Sequence, residues 1–234
     1  MKNYSSFYIF IYASVMVIIV AAILSFTAIQ LKPMQQKNIE NKKMQDILAS
    51  VNIESTAENA DELYNKYITD SYVININGEE VSGKEAFKVN LKKELSKDTE
   101  EMNLPVYICS TEKDGKCFIV PVRGKGLGGP IWGYIAFRSN LNTIVGTTFD
   151  HDAETPGLGD KITTKEFQTQ FRDKKIFDDA GGFVSISVLK GGKGAGNPHA
   201  VDAISGGTIT SNGVNAMLEE CLVNYETFFK SKGN

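Results

Sequence analysis

The chain has 234 residues, 42% of them hydrophobic and 23% charged, with a net charge of −3, enough to build at least one packed domain. Lys2 and Lys32 border an N-terminal apolar run, so the remainder is mildly acidic. No basic stripe interleaved with aromatics is present, and nucleic acid as a partner loses its electrostatic footprint. Two histidines and three cysteines without metal-ligand spacing argue against a zinc site or a chain-borne iron–sulfur cluster.

Residues 7–31 contain no charged side chain. As a helix they reach roughly 37 Å at about 1.5 Å per residue, enough to cross a hydrocarbon core of about 30 Å. Tyr4, Tyr8 and Tyr12 sit at one end, where amphipathic rings favour the interface. A cleaved signal peptide carries a shorter apolar core, about 7–15 residues, and a small-x-small cleavage site. Residues 1–31 therefore read as a retained transmembrane anchor. Lys2 on one side and Lys32, Lys37, Lys42 and Lys43 on the other leave the orientation open. A lone span without charged side chains cannot be an ion pathway.

Residues 32–68 read as a helical stalk followed by a short helix at 57–68. Residues 69–234 read as the soluble domain. Its first strand is predicted at 71–77, turning at Asn77-Gly78. The charged segment 84–99 is ambiguous. Strands follow at 106–109 and 117–122 around an Asp114-Gly115 hairpin signal, then at 131–138, 142–149 and 183–189. A two-residue turn at Asp114-Gly115 places Val120, not Cys117, opposite Cys109; pairing the two cysteines needs an irregular loop centred on Lys113. A glycine-rich loop at 191–196 comes next. Val214, Met217, Leu218, Cys221, Leu222, Tyr225, Phe228 and Phe229 recur at helical spacing, with Ser211 as N-cap and Cys221 in the core. The whole predicts an α+β domain: a largely antiparallel sheet with flanking helices, preceded by one transmembrane helix.

Three stretches bear on chemistry. Gly124 to Gly129 satisfy G-x-G-x-x-G, but Pro130 and a β-like run follow instead of a helix, so dinucleotide binding is not implied. The expectation is a flexible loop that brings backbone close to a partner or ligand. His151-Asp152-Ala153-Glu154-Thr155-Pro156-Gly157-Leu158-Gly159 places a hydrogen-bonding pair, Glu154 and Thr155, just before a tight turn. That pair could grip the polar edge of a planar heterocycle; an ordinary turn is the plainer reading, and His151 alone signals little. Asp202-Ala203-Ile204-Ser205-Gly206-Gly207-Thr208-Ile209-Thr210-Ser211 is rich in small residues and runs into the last helix. Free N–H groups and the dipole at a helix start suit phosphate, and a capped helix start after a flexible loop is the equal alternative. No nucleophile–base pair is legible, which argues against a hydrolase.

Taken together, the second and third stretches resemble the FMN-binding domain family shared by NqrC of the Na+-translocating NADH:quinone reductase and RnfG of the Rnf complex. The family pattern is roughly D-x-x-[ST]-G-A-T, its last threonine bearing FMN through a phosphoester. Asp202, Ser205, Gly206, Gly207 and Thr208 match it, with Gly207 in place of alanine. The family's E-T-P-G-L-G motif is matched in full by Glu154, Thr155, Pro156, Gly157, Leu158 and Gly159. The run Gly129-Pro130-Ile131-Trp132-Gly133-Tyr134-Ile135-Ala136 is similar to the tryptophan-bearing stretch of NqrC, the favoured member; an Rnf-type subunit or a flavin-less assembly module is the alternative. The resemblance implies an oxidoreductase subunit active only within its complex, with FMN attached to Thr208 and E-T-P-G-L-G contacting the flavin. It further implies a flavin transferase that moves FMN from FAD, with Asp202 orienting the acceptor or the transferase's metal. Sodium-translocating partner subunits A, B, D, E and F, the inner membrane and a periplasmic soluble domain complete what it implies.

Overall fold

The computed structural model describes residues 5–233; Lys2 and Tyr4 lie outside them. The first helix, α1 (Ser6–Ser50), has 45 residues. It holds an 18-residue window of mean hydropathy 2.7, none of it buried, so it is long and apolar enough to cross a membrane. Residues up to Lys43 form one compact unit and those from Met44 onward a second. Ile47 and Leu48, in the last turn of α1, and Val51 just after it are buried in the second unit.

That second unit is built on a five-stranded antiparallel meander, β1 (Ile68–Ile74), β2 (Leu104–Thr111), β3 (Gly115–Lys125), β4 (Pro130–Arg138) and β5 (Ile144–His151), in spatial order of sequence. The side-chain period of two gives the sheet two faces, and both are apolar. On one, Val120, Val122, Ile135 and Phe137 meet Val214, Leu218, Phe228 and Phe229. The latter four come from α5 (Thr208–Leu222) and α6 (Glu226–Lys232), which follow the short helices α2 (Ala60–Tyr67), α3 (Leu91–Glu94) and α4 (Lys165–Gln168). The Phe137 and Phe229 rings pack at 5.0 Å between centroids. On the other face, Tyr107, Cys109, Cys117, Ile119 and Tyr134 pack with Ile47 and Val51. Each fully buried side chain of this size contributes about 1.5–3 kcal/mol, so helices on both faces hold the sheet. The α+β expectation is met.

Two prolines in these strands need a reason, because proline donates nothing to a ladder. The β2–β3 ladder ends at Tyr107↔Ile119, so Pro105 and Pro121 lie beyond it. Past that point β3 pairs only with β4, and α5 serves its freed edge. The Arg123 N–H donates to Cys221 Sγ at 3.4 Å, and the Cys221 thiol donates to the Arg123 carbonyl at 3.2 Å. Tyr225 donates its hydroxyl to the Pro105 carbonyl at 3.0 Å. Cys221 is a core residue, as expected, and it also docks α5 on β3.

Three expectations are corrected. The β2–β3 register pairs Thr111 with Gly115 and Cys109 with Cys117. The turn is therefore the three residues Glu112, Lys113 and Asp114, with Gly115 at φ +67°, a conformation glycine adopts without steric cost. Asp114 fixes it: its carboxylate meets Arg172 at 3.2 Å and Arg138 at 3.5 Å, with only 6% of the side chain exposed. Secondly, the strand predicted at 183–189 shrinks to β6 (Ser187–Leu189), paired in parallel with β7 (Ala200–Asp202). Ser185 takes φ +56°, which breaks the extended run. Thirdly, α5 starts at Thr208 with Gly207 as N-cap, so Ser211 lies inside the first turn. A 3-10 turn at Val223–Tyr225 then separates α5 from α6.

Cys109, Cys117 and Cys221 are free and buried. Burial pushes the Cys109 thiol up to about 12, helped by Cys117 beside it. Burial likewise raises Cys117, with Asp114 adding to the shift, and Cys221, each to about 11. Thiols held protonated and away from solvent are poor nucleophiles. Iodoacetamide at pH 8 is expected to modify none of the three in the native protein and all three in guanidinium, read by intact mass; native labelling at Cys109 or Cys117 would contradict the register.

Candidate flavin-attachment site

The site forms where three segments converge: the β3–β4 loop, the turn after β5, and the start of α5. A pocket of about 190 Å³ is lined by Leu127 from the first, Glu154, Thr155, Leu158 and Gly159 from the second, and residues 206–210 from the third. Leu127, Leu158 and Ile209 are 58%, 41% and 56% exposed, so the rim is apolar and open.

Thr208 is the first residue of α5 and is exposed. Gly207 offers no side-chain cap, and the first helical bond runs from the Ser211 N–H to the Gly207 carbonyl at 2.8 Å. The N–H groups of the first turn have no intrahelical acceptor, which makes this end a natural seat for an anion. Gly206 turns the chain at φ +77°. Gly207 sits at φ −103°, where alanine is also allowed. An added Cβ there would stand 3.0 Å from the Ile204 side chain, a contact that a small shift of that side chain relieves. The glycine for alanine exchange therefore leaves the backbone path intact.

Glu154 is the least expected of these residues. It is 5% exposed. Its Oε2 accepts from the Thr210 hydroxyl at 2.6 Å and its Oε1 from the Gly128 N–H at 2.9 Å. Its own N–H donates to His151 Nδ1 at 3.2 Å, which explains the histidine. Side chains are excluded around this carboxylate. A Cβ at Gly126 or at Gly159 would fall 2.1 Å from one of its oxygens, and one at Gly128 would fall 1.8 Å from the Ala153 carbonyl. The G-x-G-x-x-G run is therefore a cradle for the chain's own carboxylate. Each hydrogen bond to a charged group contributes about 1.5–3 kcal/mol, and a buried carboxylate stripped of its donors costs more.

Not every predicted residue meets at the pocket. Glu154, Thr155, Leu158, Gly159, Gly206, Gly207 and Thr208 do. Gly157 forms the turn at φ +76° and lines neither this pocket nor its neighbour. Asp202 and Ser205 line a larger pocket of about 640 Å³, together with Lys161, Gln170 and Lys174. Asp202 is occupied there: its Oδ1 accepts from the Gly194 N–H at 2.7 Å, and its N–H donates to Gln170 Oε1 at 2.9 Å. Leu127, Ile209 and the Thr210–Glu154 bond are additions that no local pattern signals.

The chain is similar to known proteins. Residues 126–223 match the FMN-binding domain family. The NqrC component of the Na(+)-translocating NADH-quinone reductase from Vibrio parahaemolyticus is 30% identical over 217 residues, covering 84% of this chain and 83% of that protein. The chain belongs to the NqrC family of this reductase. The crystal structure of the same reductase component from Parabacteroides distasonis superposes with a TM-score of 0.78 at 40% identity, over 85% of this chain and 96% of that one. The Shewanella oneidensis NqrC crystal structure gives 0.70 at 27% identity, over 83% and 98%. The family-matched segment holds the whole small pocket: Leu127, the E-T-P-G-L-G turn and the start of α5.

Proposed function

We propose that this NqrC family member carries FMN on Thr208 through a phosphoester and passes electrons within a Na+-translocating NADH:quinone reductase. The observation that supports this most is the position of Thr208: an exposed hydroxyl on an uncapped helix N-terminus, in one pocket with the E-T-P-G-L-G turn. The residues fit the group. First-turn N–H groups suit the phosphate, and the Leu127, Leu158 and Ile209 rim suits an aromatic ring system. In this reading a flavin transferase delivers FMN from FAD: a bond forms between Thr208 Oγ and the phosphorus of the FMN half, and the pyrophosphate bond to AMP breaks. AMP leaves, and the hydroxyl proton passes to a base on the transferase. Bound FMN supplies the redox chemistry; Thr208 tethers it and the pocket shields one side. Asp202, held by Gly194 and Gln170, shapes the loop that presents the acceptor.

In this reading residues 1–31 anchor the chain in the inner membrane, 32–68 begin as a stalk and from Met44 pack into the second unit, and 69–234 form the rest of the FMN-binding domain on the periplasmic side. Sodium crosses through the multi-span partner subunits, since residues 7–31 hold no Asp, Glu, Lys, Arg or His. Co-expression of the full-length protein with a flavin transferase tests the reading. The band on a denaturing gel is expected to fluoresce as a flavin, with the added mass on the tryptic peptide containing Thr208. A dark band in the presence of active transferase would overturn covalent attachment.

A further inference from the structure

Glu154 and Thr210 are, we propose, positioning residues for modification of Thr208: their hydrogen bond sets the first turn of α5 in the orientation that presents the acceptor hydroxyl. The inference rests on Thr208 being the acceptor. Among the described residues nothing holds the Thr208 hydroxyl, so its direction follows from the backbone beneath it. Two bonds shape that backbone from within: Gly207 N–H to the Ile204 carbonyl at 3.1 Å, and Ile204 N–H to Ser211 Oγ at 3.0 Å. Both move with the loop. The bond from Thr210 to Glu154 reaches outside it, to the turn that forms the opposite wall of the pocket. Glu154 in turn grips the β3–β4 loop through Gly128. One buried carboxylate thus couples all three segments of the site.

Valine keeps the shape of Thr210 and removes its hydroxyl; serine keeps the hydroxyl and removes a buried methyl. The pair separates positioning from packing. Full-length wild type, Thr210→Val and Thr210→Ser are incubated with transferase and FAD, incorporation is followed by gel fluorescence, and melting is measured on the same samples. Thr210→Val is expected to incorporate flavin at least about tenfold more slowly, and Thr210→Ser within about threefold of wild type. The serine is expected to keep that rate although it too melts earlier. Gly159 crowds the hydroxyl position, so Thr210→Ala serves as a second hydroxyl-free variant if the valine does not fold, with the same expected slowing. Wild-type rates in the hydroxyl-free variants, or rates that track melting temperature across the set, would overturn the positioning role alone. A dark wild type would remove the Thr208 assignment and this inference with it.

Discussion

Thr208→Ala is expected to abolish covalent flavin while leaving the fold intact. The side chain is exposed at the first position of α5, so its loss should change stability by no more than about 0.5 kcal/mol. Attachment should fall to background, because the nearby hydroxyls are poor substitutes. Thr210 and Ser211 are 1% and 0% exposed, and both are engaged, with Glu154 and with Ile204. Ser205 is exposed but belongs to the larger pocket. Gel fluorescence and a thermal melt of the same preparation check both halves. A fluorescent Thr208→Ala band would move the attachment point, with Ser205 the first place to look.

Gly128→Ala is expected to be the most damaging single methyl in the site. The new carbon would overlap the Ala153 carbonyl at 1.8 Å and its carbon at 2.5 Å, and neither is the end of a flexible side chain. The loop must move, and the Gly128 N–H then leaves Glu154. Overpacking and a weakened buried hydrogen bond together cost about 2–4 kcal/mol. For a body of this size that lowers the melting temperature by roughly 4–16 °C. Flavin incorporation should fall as well, since the same carboxylate holds Thr210. Gly115→Ala, at a positive φ but in open space, is the control: strained locally, it should leave incorporation at the wild-type rate.

Much of the sheet was legible because strand signals are local. Residues 131–138 are a short, nearly continuous apolar run, and β4 (Pro130–Arg138), buried on both faces, follows them closely. The last helix announced itself through Val214, Met217, Leu218 and Cys221, all buried. The misreadings share a cause: the deciding partner lies far along the chain. Asp114 takes its place in the hairpin from Arg172 and Arg138, which no turn rule contains. Ser211 looks like an N-cap, yet its hydroxyl turns back to the Ile204 N–H, and Gly207 starts the helix. In the site, the two motifs and Thr208 were readable as a pattern. The purpose of Gly126 and Gly128 was not, because the group they accommodate is Glu154, brought to them only by the folded sheet.

The glycine cradle around Glu154 also bears on how this site can vary in length. Surface hairpins ordinarily absorb insertions cheaply. Here the Gly126 N–H closes the loop on the Gly129 carbonyl at 2.8 Å while Gly128 faces a fixed carboxylate. One extra residue would carry the Gly128 donor out of reach. Leu127 can exchange for another apolar side chain that keeps the rim of the pocket, whereas the number of residues between β3 and β4 is fixed. A working homologue is therefore recognisable at this hairpin by its residue count before its letters.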